Sequence, residues 1–535
     1  MTSLPLSDAL FDKVDFKKIQ TRGIYEKDGV LHIPPEAFET LAFEAFGDVS
    51  FLLRSTQLEA LRRIIDDEKA SLNDKFAAWS FLKNACIARE RVLPLCQDTG
   101  TAVVFGEKGH RVLTDGTENE ALCRGIEKAY GQNNLRYSQN VASSFFQEKN
   151  SRTNLPAAVE LNVSKGDEYR FLFIAKGGGC ANKTFLFQET RALLEKTALT
   201  AFLKEKIEQI GTSACPPYRL SVVVGGLTAE DCLKTVKLAC AGAADCLPFE
   251  GDETGRAFRD PDMEECLNEI AQATGYGAQM GGRHFCLSVR CIRLPRHGAS
   301  LPVGIGVSCV ADRNILARIS KDGVFLERLE ENPQRFLPDV KNANVFANAK
   351  QIDLDVSPEH TSEMLKSCKI GEKAVLSGTI IVARDQAHAR FARMLREKGV
   401  LPEYLKKYPV YYAGPAKTPA GKPCGSMGPT TSGRMDSYAE LFLSHQASMV
   451  MIGKGLRSQN VLEACRKYGG FYLGTLGGAA ALTSAEYIKS CDCIDFEDLG
   501  MEAVYRLRVE NFPVVVLIDD KGNDFYRALL DKRID

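Results

Sequence analysis

Three cysteines stand in settings that suit metal chemistry: Cys96 in LPLCQDTGT, Cys215 in SACPPYR and Cys309 in GIGVSCVADRN. Each sits at a break in regular structure marked by Gly, Pro or Asp, and the three are far apart in the chain. Three thiolates can hold three irons of a cubane cluster and leave the fourth iron open to a small molecule. Such an iron is a Lewis acid rather than an electron carrier. The plainer role for any one of the 17 cysteines is that of a buried small hydrophobe. No two cysteines are spaced C-x-x-C, so neither a zinc ribbon nor a ferredoxin-type run is encoded locally, and the fold must assemble any cluster.

Two glycine-rich stretches could handle anions. Lys176 to Thr184, KGGGCANKT, nearly matches a phosphate-binding loop, but Asn182 replaces the required Gly and no second strand ends in a clear Mg²⁺-holding Asp. The same turn can offer Gly179 and neighbouring N–H groups to a carboxylate or to cluster sulfides. Residues 414–434, GPAKTPAGKPCGSMGPTTSGR, hold five Gly and four Pro and end in Thr430, Thr431, Ser432 and Arg434. A flexible linker is one reading. The strand-like and helix-like flanks favour a substrate loop instead.

These residues need a frame. Leu58, Leu61, Ile64 and Ile65 recur at helical spacing after Ser55, and Phe76 to Ile87 continues as helix, delivering the chain to Cys96. Strands are expected at Thr101 to Phe105, Ala158 to Val163, Tyr169 to Ile174 and Leu220 to Val224, with helices at about 185–210 and 228–241. Around 327–350 the chain turns polar and is broken by Pro333 and Pro338. Beyond it, strands at Ala374 to Val382, Val410 to Tyr412, Ser448 to Ile452 and Val514 to Ile518 alternate with helices at about 386–398 and 459–467. This gives a mixed α/β protein of two domains, 1–329 and 348–535, joined by a linker at 330–347.

Composition sets limits. A chain of 535 residues with 44% hydrophobic content is too long for one core. Lys+Arg 68 against Asp+Glu 69 gives a net charge of −1, which argues against a nucleic-acid or polybasic membrane surface, so small anions must meet a local cluster of cations. No apolar run is long enough to span a membrane. Asp8, Asp12 and Asp15 interrupt any targeting presequence, and free cysteines fit a reducing compartment, so a cytosolic location is expected.

The motifs LPLCQDTGTAVVFGEKG, AKGGGCANKT, SACPPYRLSVVVGG, RHG, GIGVSC, ARDQAHAR, CGSMGPTTSGRMDSY and MIGKG occur in the order and approximate spacing of class I fumarases. The chain resembles that family over nearly its full length. Its members are iron–sulfur hydro-lyases that interconvert fumarate and (S)-malate, with relatives acting on tartrate and on methylated fumarates. The resemblance implies a [4Fe-4S] cluster on Cys96, Cys215 and Cys309, a swivelling-type α/β second domain and a homodimer. It implies substrate contacts from Gln97, Arg136, Gly179, His297, Arg384, Arg434 and Lys454. Asp98 would handle the proton at the hydroxyl, paired with Arg384, and Thr430 would take the carbon-bound proton. His388 would brace the Arg384 loop. Cation clamps on two carboxylates suit a small dicarboxylate substrate. The competing readings are a tartrate or mesaconate hydro-lyase and a non-catalytic iron or redox sensor.

Overall fold

The apolar spacing after Ser55 folds as the helix Ser55–Asp66, which buries Leu58, Leu61 and Ile64. The next segment forms Leu72–Ala88, started by the Ser71 hydroxyl, which accepts the Asp74 N–H at 3.0 Å. The computed structural model describes residues 6–338, 346 and 348–531. Its architecture is mixed α/β.

Two larger sheets are built from the first 330 residues, beside a small three-stranded sheet of Tyr25–Lys27, Val30–His32 and Val112–Leu113. One has the order Phe16–Ile19, Gly323–Glu327, Asn314–Ser320, Tyr169–Lys176, Thr101–Gly109, Ala158–Ser164. The other runs Phe185–Glu189, Leu301–Ser308, Tyr218–Gly226, Cys286–Arg296, Phe258–Arg259. The helix expected over 185–210 is shorter than its apolar pattern suggests. Phe185–Glu189 is a strand paired antiparallel with Leu301–Ser308, and the helix is Lys196–Ile210. The non-local ladder wins over local propensity there. A small hairpin, Asn140–Ser144 with Gln147–Asn150, stands apart from both sheets and carries exposed Phe145 and Phe146 at its tip.

The remaining chain forms a seven-stranded sheet in the order Lys350–Asp353, Lys373–Val382, Val410–Tyr411, Val450–Gly453, Phe471–Gly474, Val504–Ile518, Ile488–Asp495. The expected strand at Val514 to Ile518 is only the end of a 15-residue strand. Its length lets it pair antiparallel with Phe471–Gly474 at one end and with Lys373–Val382 along the rest, so part of the sheet closes into a ring. Of the expected linker, Pro333–Phe336 is a short 3₁₀ turn, while 339–345 and 347 lie outside the described residues.

The parts before and after that segment share an apolar core. The largest buried cluster joins Phe81, Cys215 and Val307 to Ala383, Met435 and Tyr472. Polar cross-links accompany it. The Ser426 hydroxyl donates to Pro94 O at 2.6 Å. Asn84 donates to Leu95 O and accepts the Leu482 N–H, both at 3.0 Å. Gln279 accepts the Gly477 N–H at 2.8 Å and donates to Gly477 O at 2.9 Å. A buried amide satisfied on both sides fixes the register of the segments it joins.

Candidate active site

The three sequence-distant cysteines meet at this seam. Cys96 is buried in the connection between Leu72–Ala88 and Thr101–Gly109. Cys309 follows the strand Leu301–Ser308. Cys215 precedes the strand Tyr218–Gly226 with φ +65°, a conformation L side chains seldom adopt. Its N–H donates to Thr212 O and its carbonyl accepts the Val310 N–H, both at 3.1 Å, so Cys215 is tied to the Cys309 turn.

The Lys454 ammonium donates to Cys215 Sγ at 2.7 Å. Burial pushes the Cys215 thiol up to about 11 despite this charge, and Cys309 and Cys96 push it the same way. Burial also raises Cys96, and contact with the Cys180 thiol followed by burial drives Cys309 well up. The three sulfurs therefore sense one another's charge in a desolvated space. Gly477 lets its backbone approach the thiol closely: a Cβ there would lie 2.6 Å from Cys215 Sγ and 2.7 Å from Lys454 Cδ.

Among the described residues no three His, Cys, Asp or Glu donors converge closely enough to hold a single metal ion. Thiolates on separate irons of one cluster stand farther apart than ligands of one ion, and soft sulfur donors suit iron–sulfur ligation. Two buried cations, Lys454 and Arg313, are placed to offset thiolate charge. Arg313 Nη1 has no hydrogen-bond partner, so part of its charge is unspent. The residues present fit such a group.

The anion-binding side opens into a cleft of about 1250 Å³ lined by Asp98, Arg136, Gly178, Arg384, Arg434 and Glu502 among others. Arg136 pairs with Asp98 at 2.9 Å, and the Gly178 N–H donates to Asp98 Oδ2 at 2.7 Å. The glycine-rich turn that imitates a phosphate loop thus cradles a carboxylate of the chain itself. Burial works to raise the Asp98 carboxyl, but Arg136, Arg313 and the Gly178 N–H prevail and hold it at about 2. Asp98 is paired with Arg136, not with Arg384 as the resemblance implies.

Arg384 precedes the helix Asp385–Lys398 and lies 3.2 Å from Glu502. It is only 6% exposed, and its Nε has no partner. Burial, with the charge of Arg136 next, lowers its guanidinium to about 10, so it remains charged at neutral pH. Arg434, on the turn Ser432–Met435, sits 3.2 Å from Asp385 and donates to the Thr430 hydroxyl. Residues 414–434 are not a free linker: Ala413–Pro415 pairs antiparallel with Met427–Pro429, ending at Thr430.

Other expected residues divide. Gln97 is buried between the Cys96 thiol and Pro429 O, 3.5 and 3.3 Å away. Gly179 packs beside Ala214, next to Cys215. His297 is exposed in the turn after Cys286–Arg296, where its Nδ1 accepts the Ala299 N–H at 3.2 Å, and it does not line the cleft. His388 is buried against Phe391, Tyr412, Tyr438 and Phe442, with Nδ1 3.1 Å from Arg384 O. Arg313 and Glu502 were not singled out by sequence. Arg313 lies four residues after Cys309, which is its only local signal, and Glu502 has none.

Thiols gathered at an α/β seam, with Asp98 two residues from Cys96 in an arginine-lined cleft, form the site of an enzyme acting on small anions. The family model described as Fumarate hydratase (Fumerase) matches residues 39–318, and that described as Fumarase C-terminus matches 323–529. Fumarate hydratase 2 of Leishmania major is 51% identical over 500 residues, 94% of this chain and 88% of the relative. The anaerobic class I fumarate hydratase of Escherichia coli K12 is 50% identical over 509 residues, 95% of this chain and 93% of the relative. A mitochondrial Leishmania major protein, fumarate hydratase 1, is 51% identical over 502 residues, 94% and 91% of the two chains. The chain belongs to the fumarate hydratase family and is a hydro-lyase of class I.

Proposed function

We propose that this chain hydrates fumarate reversibly to (S)-malate with a [4Fe-4S] cluster held by Cys96, Cys215 and Cys309. The observation that carries the reading is that Asp98, two residues from the Cys96 thiol, lines one cleft with three guanidiniums, those of Arg136, Arg384 and Arg434. When bound, the cluster would supply a Lewis acid for the hydroxyl that leaves or enters.

The chain's own residues do the rest. Arg384 and Arg434 are matched to planar carboxylates and orient a dicarboxylate across the cleft, with Lys454 beside the thiols as a further cation. Their charge favours the electron-rich carboxylate that develops as the carbon-bound proton leaves. Thr430 Oγ1 is the acceptor of that proton. Unaided threonine is a weak base, and the Arg434 hydrogen bond to Oγ1 favours the deprotonated oxygen. Asp98, held ionised against burial by Arg136, Arg313 and the Gly178 N–H, accepts a hydrogen bond from the hydroxyl or water and so handles the proton there. Two domains, 1–329 and 348–535, would then share one site, with every thiolate from the first.

A cytoplasmic homodimer belongs to the same reading. Seventeen free thiols suit a reducing compartment, and no helix among the described residues is long and apolar enough to cross a membrane. Light scattering of the purified protein tests the dimer.

Anaerobic reconstitution followed by parallel assays with fumarate, mesaconate and tartrate tests the function, and the highest kcat/KM is expected for fumarate. A higher value for tartrate or mesaconate moves the chain to that activity. A loaded protein that turns over none of the three is a sensor. Serine at Cys96, Cys215 or Cys309 should each abolish the cluster's visible absorption, and retention of a full cluster in Cys309→Ser would remove Cys309 from the ligand set.

A further inference from the structure

A fourth thiol stands where the ligand set needs none. Cys180, 5% exposed, belongs to the short helix Gly178–Ala181, which packs against the strand Leu301–Ser308. Its thiol lies against that of Cys309. The two also line one small cavity of about 20 Å³ together with Lys176, Lys237, Cys240 and Arg313, room for about one water-sized molecule. No disulfide is present in the described chain.

We propose that Cys180 and Cys309 form a reversible disulfide when the metal-free protein meets peroxide, protecting a ligand thiol from irreversible oxidation. Hydrogen peroxide oxidises one thiol to sulfenic acid: the O–O bond breaks, an S–O bond forms and one water leaves. The neighbouring sulfur then displaces the second oxygen as water, forming the S–S bond. The two thiols together lose two electrons, and peroxide gains two. Without a neighbour in contact, the sulfenic acid would be open to further oxidation to sulfinic acid, which small thiols do not reverse. A dithiol reductant returns both sulfurs by exchange. The value of this protection rests on Cys309 being a cluster ligand. The disulfide itself does not.

The test uses the full chain stripped of metal and treated with one equivalent of hydrogen peroxide to form the disulfide and with at least two, the stoichiometry of sulfinic acid, to read over-oxidation. Peptide mass spectrometry without reduction should find Cys180 linked to Cys309, with two fewer free thiols, and dithiothreitol should restore both. In Cys180→Ser the link is absent and Cys309 should progress to sulfinic acid, while the anaerobically loaded variant keeps its cluster absorption and turnover. Recovery of no Cys180–Cys309 peptide from the unaltered chain overturns the proposal, as does equal protection of Cys309 in Cys180→Ser. If the link forms but Cys309→Ser still binds a full cluster, the ligand assignment fails and the disulfide stands.

Discussion

Arg434 shows how much a single side chain is asked to do: it meets Asp385 and the Thr430 hydroxyl from one guanidinium. Lysine keeps the charge but loses the planar fork. Arg434→Lys should lower kcat/KM at least tenfold, about 1.4 kcal/mol, with the thermal transition nearly unmoved. Steady-state kinetics checks this, and an unchanged specificity constant would place Arg434 outside the chemistry. Gly477 works by what it lacks. A methyl there would meet Cys215 Sγ and Lys454 Cδ well inside contact distance. Gly477→Ala should therefore lose most cluster absorption after reconstitution while far-ultraviolet circular dichroism stays the same. The thiols and most of the arginines are legible in sequence because their motifs are short and chemically narrow. Their partners are not. That Asp98 faces Arg136, that Glu502 faces Arg384 and that Arg313 stands beside the thiols are consequences of tertiary packing that no local pattern encodes.

The helix Asp385–Lys398 links that chemistry to the frame. Arg384 precedes it and His388 enters the core one turn on. Burial lowers His388 to about 4 from an ordinary value of 6.5. A histidine neutral in the fold takes up protons more readily when unfolded, so its stabilising share is present above pH 6.5 and is lost as pH falls towards 4. From pH 7 to 5 the loss should be about 2 kcal/mol, read from urea midpoints. His388→Asn should flatten that dependence, and an unchanged slope would show that another group titrates. Helices and strands with strong periodicity, such as Ser55–Asp66 and Lys373–Val382, match the sequence pattern closely. Phe185–Glu189 does not, because its strand state depends on Leu301–Ser308, more than a hundred residues away. The long strand Val504–Ile518 is underestimated for a similar reason: polar residues such as Arg506, Arg508 and Glu510 interrupt its apolar run, and two different partners hold it extended.

In the whole molecule, the apolar core and the Asn84, Gln279 and Ser426 cross-links tie the two sequence halves into one seam, and the site lies on it. The ring formed by Val504–Ile518 with Lys373–Val382 leaves few open strand edges in that part. The hairpin of Asn140–Ser144 and Gln147–Asn150 is the opposite case: it pairs only with itself, it borders the cleft through Asn140 and Glu148, and it holds Phe145 and Phe146 in water at 93% and 90% exposure. A bare two-residue aromatic tip is an inviting substrate for a protease specific for large apolar side chains. Brief chymotrypsin digestion should cut first between 144 and 147, giving fragments of about 16 and 43 kDa for a 58.8 kDa chain. The protein's lifetime outside its host would then be set less by the buried seam than by this one finger of chain, and trimming or replacing its two phenylalanines is the simplest route to a preparation that endures.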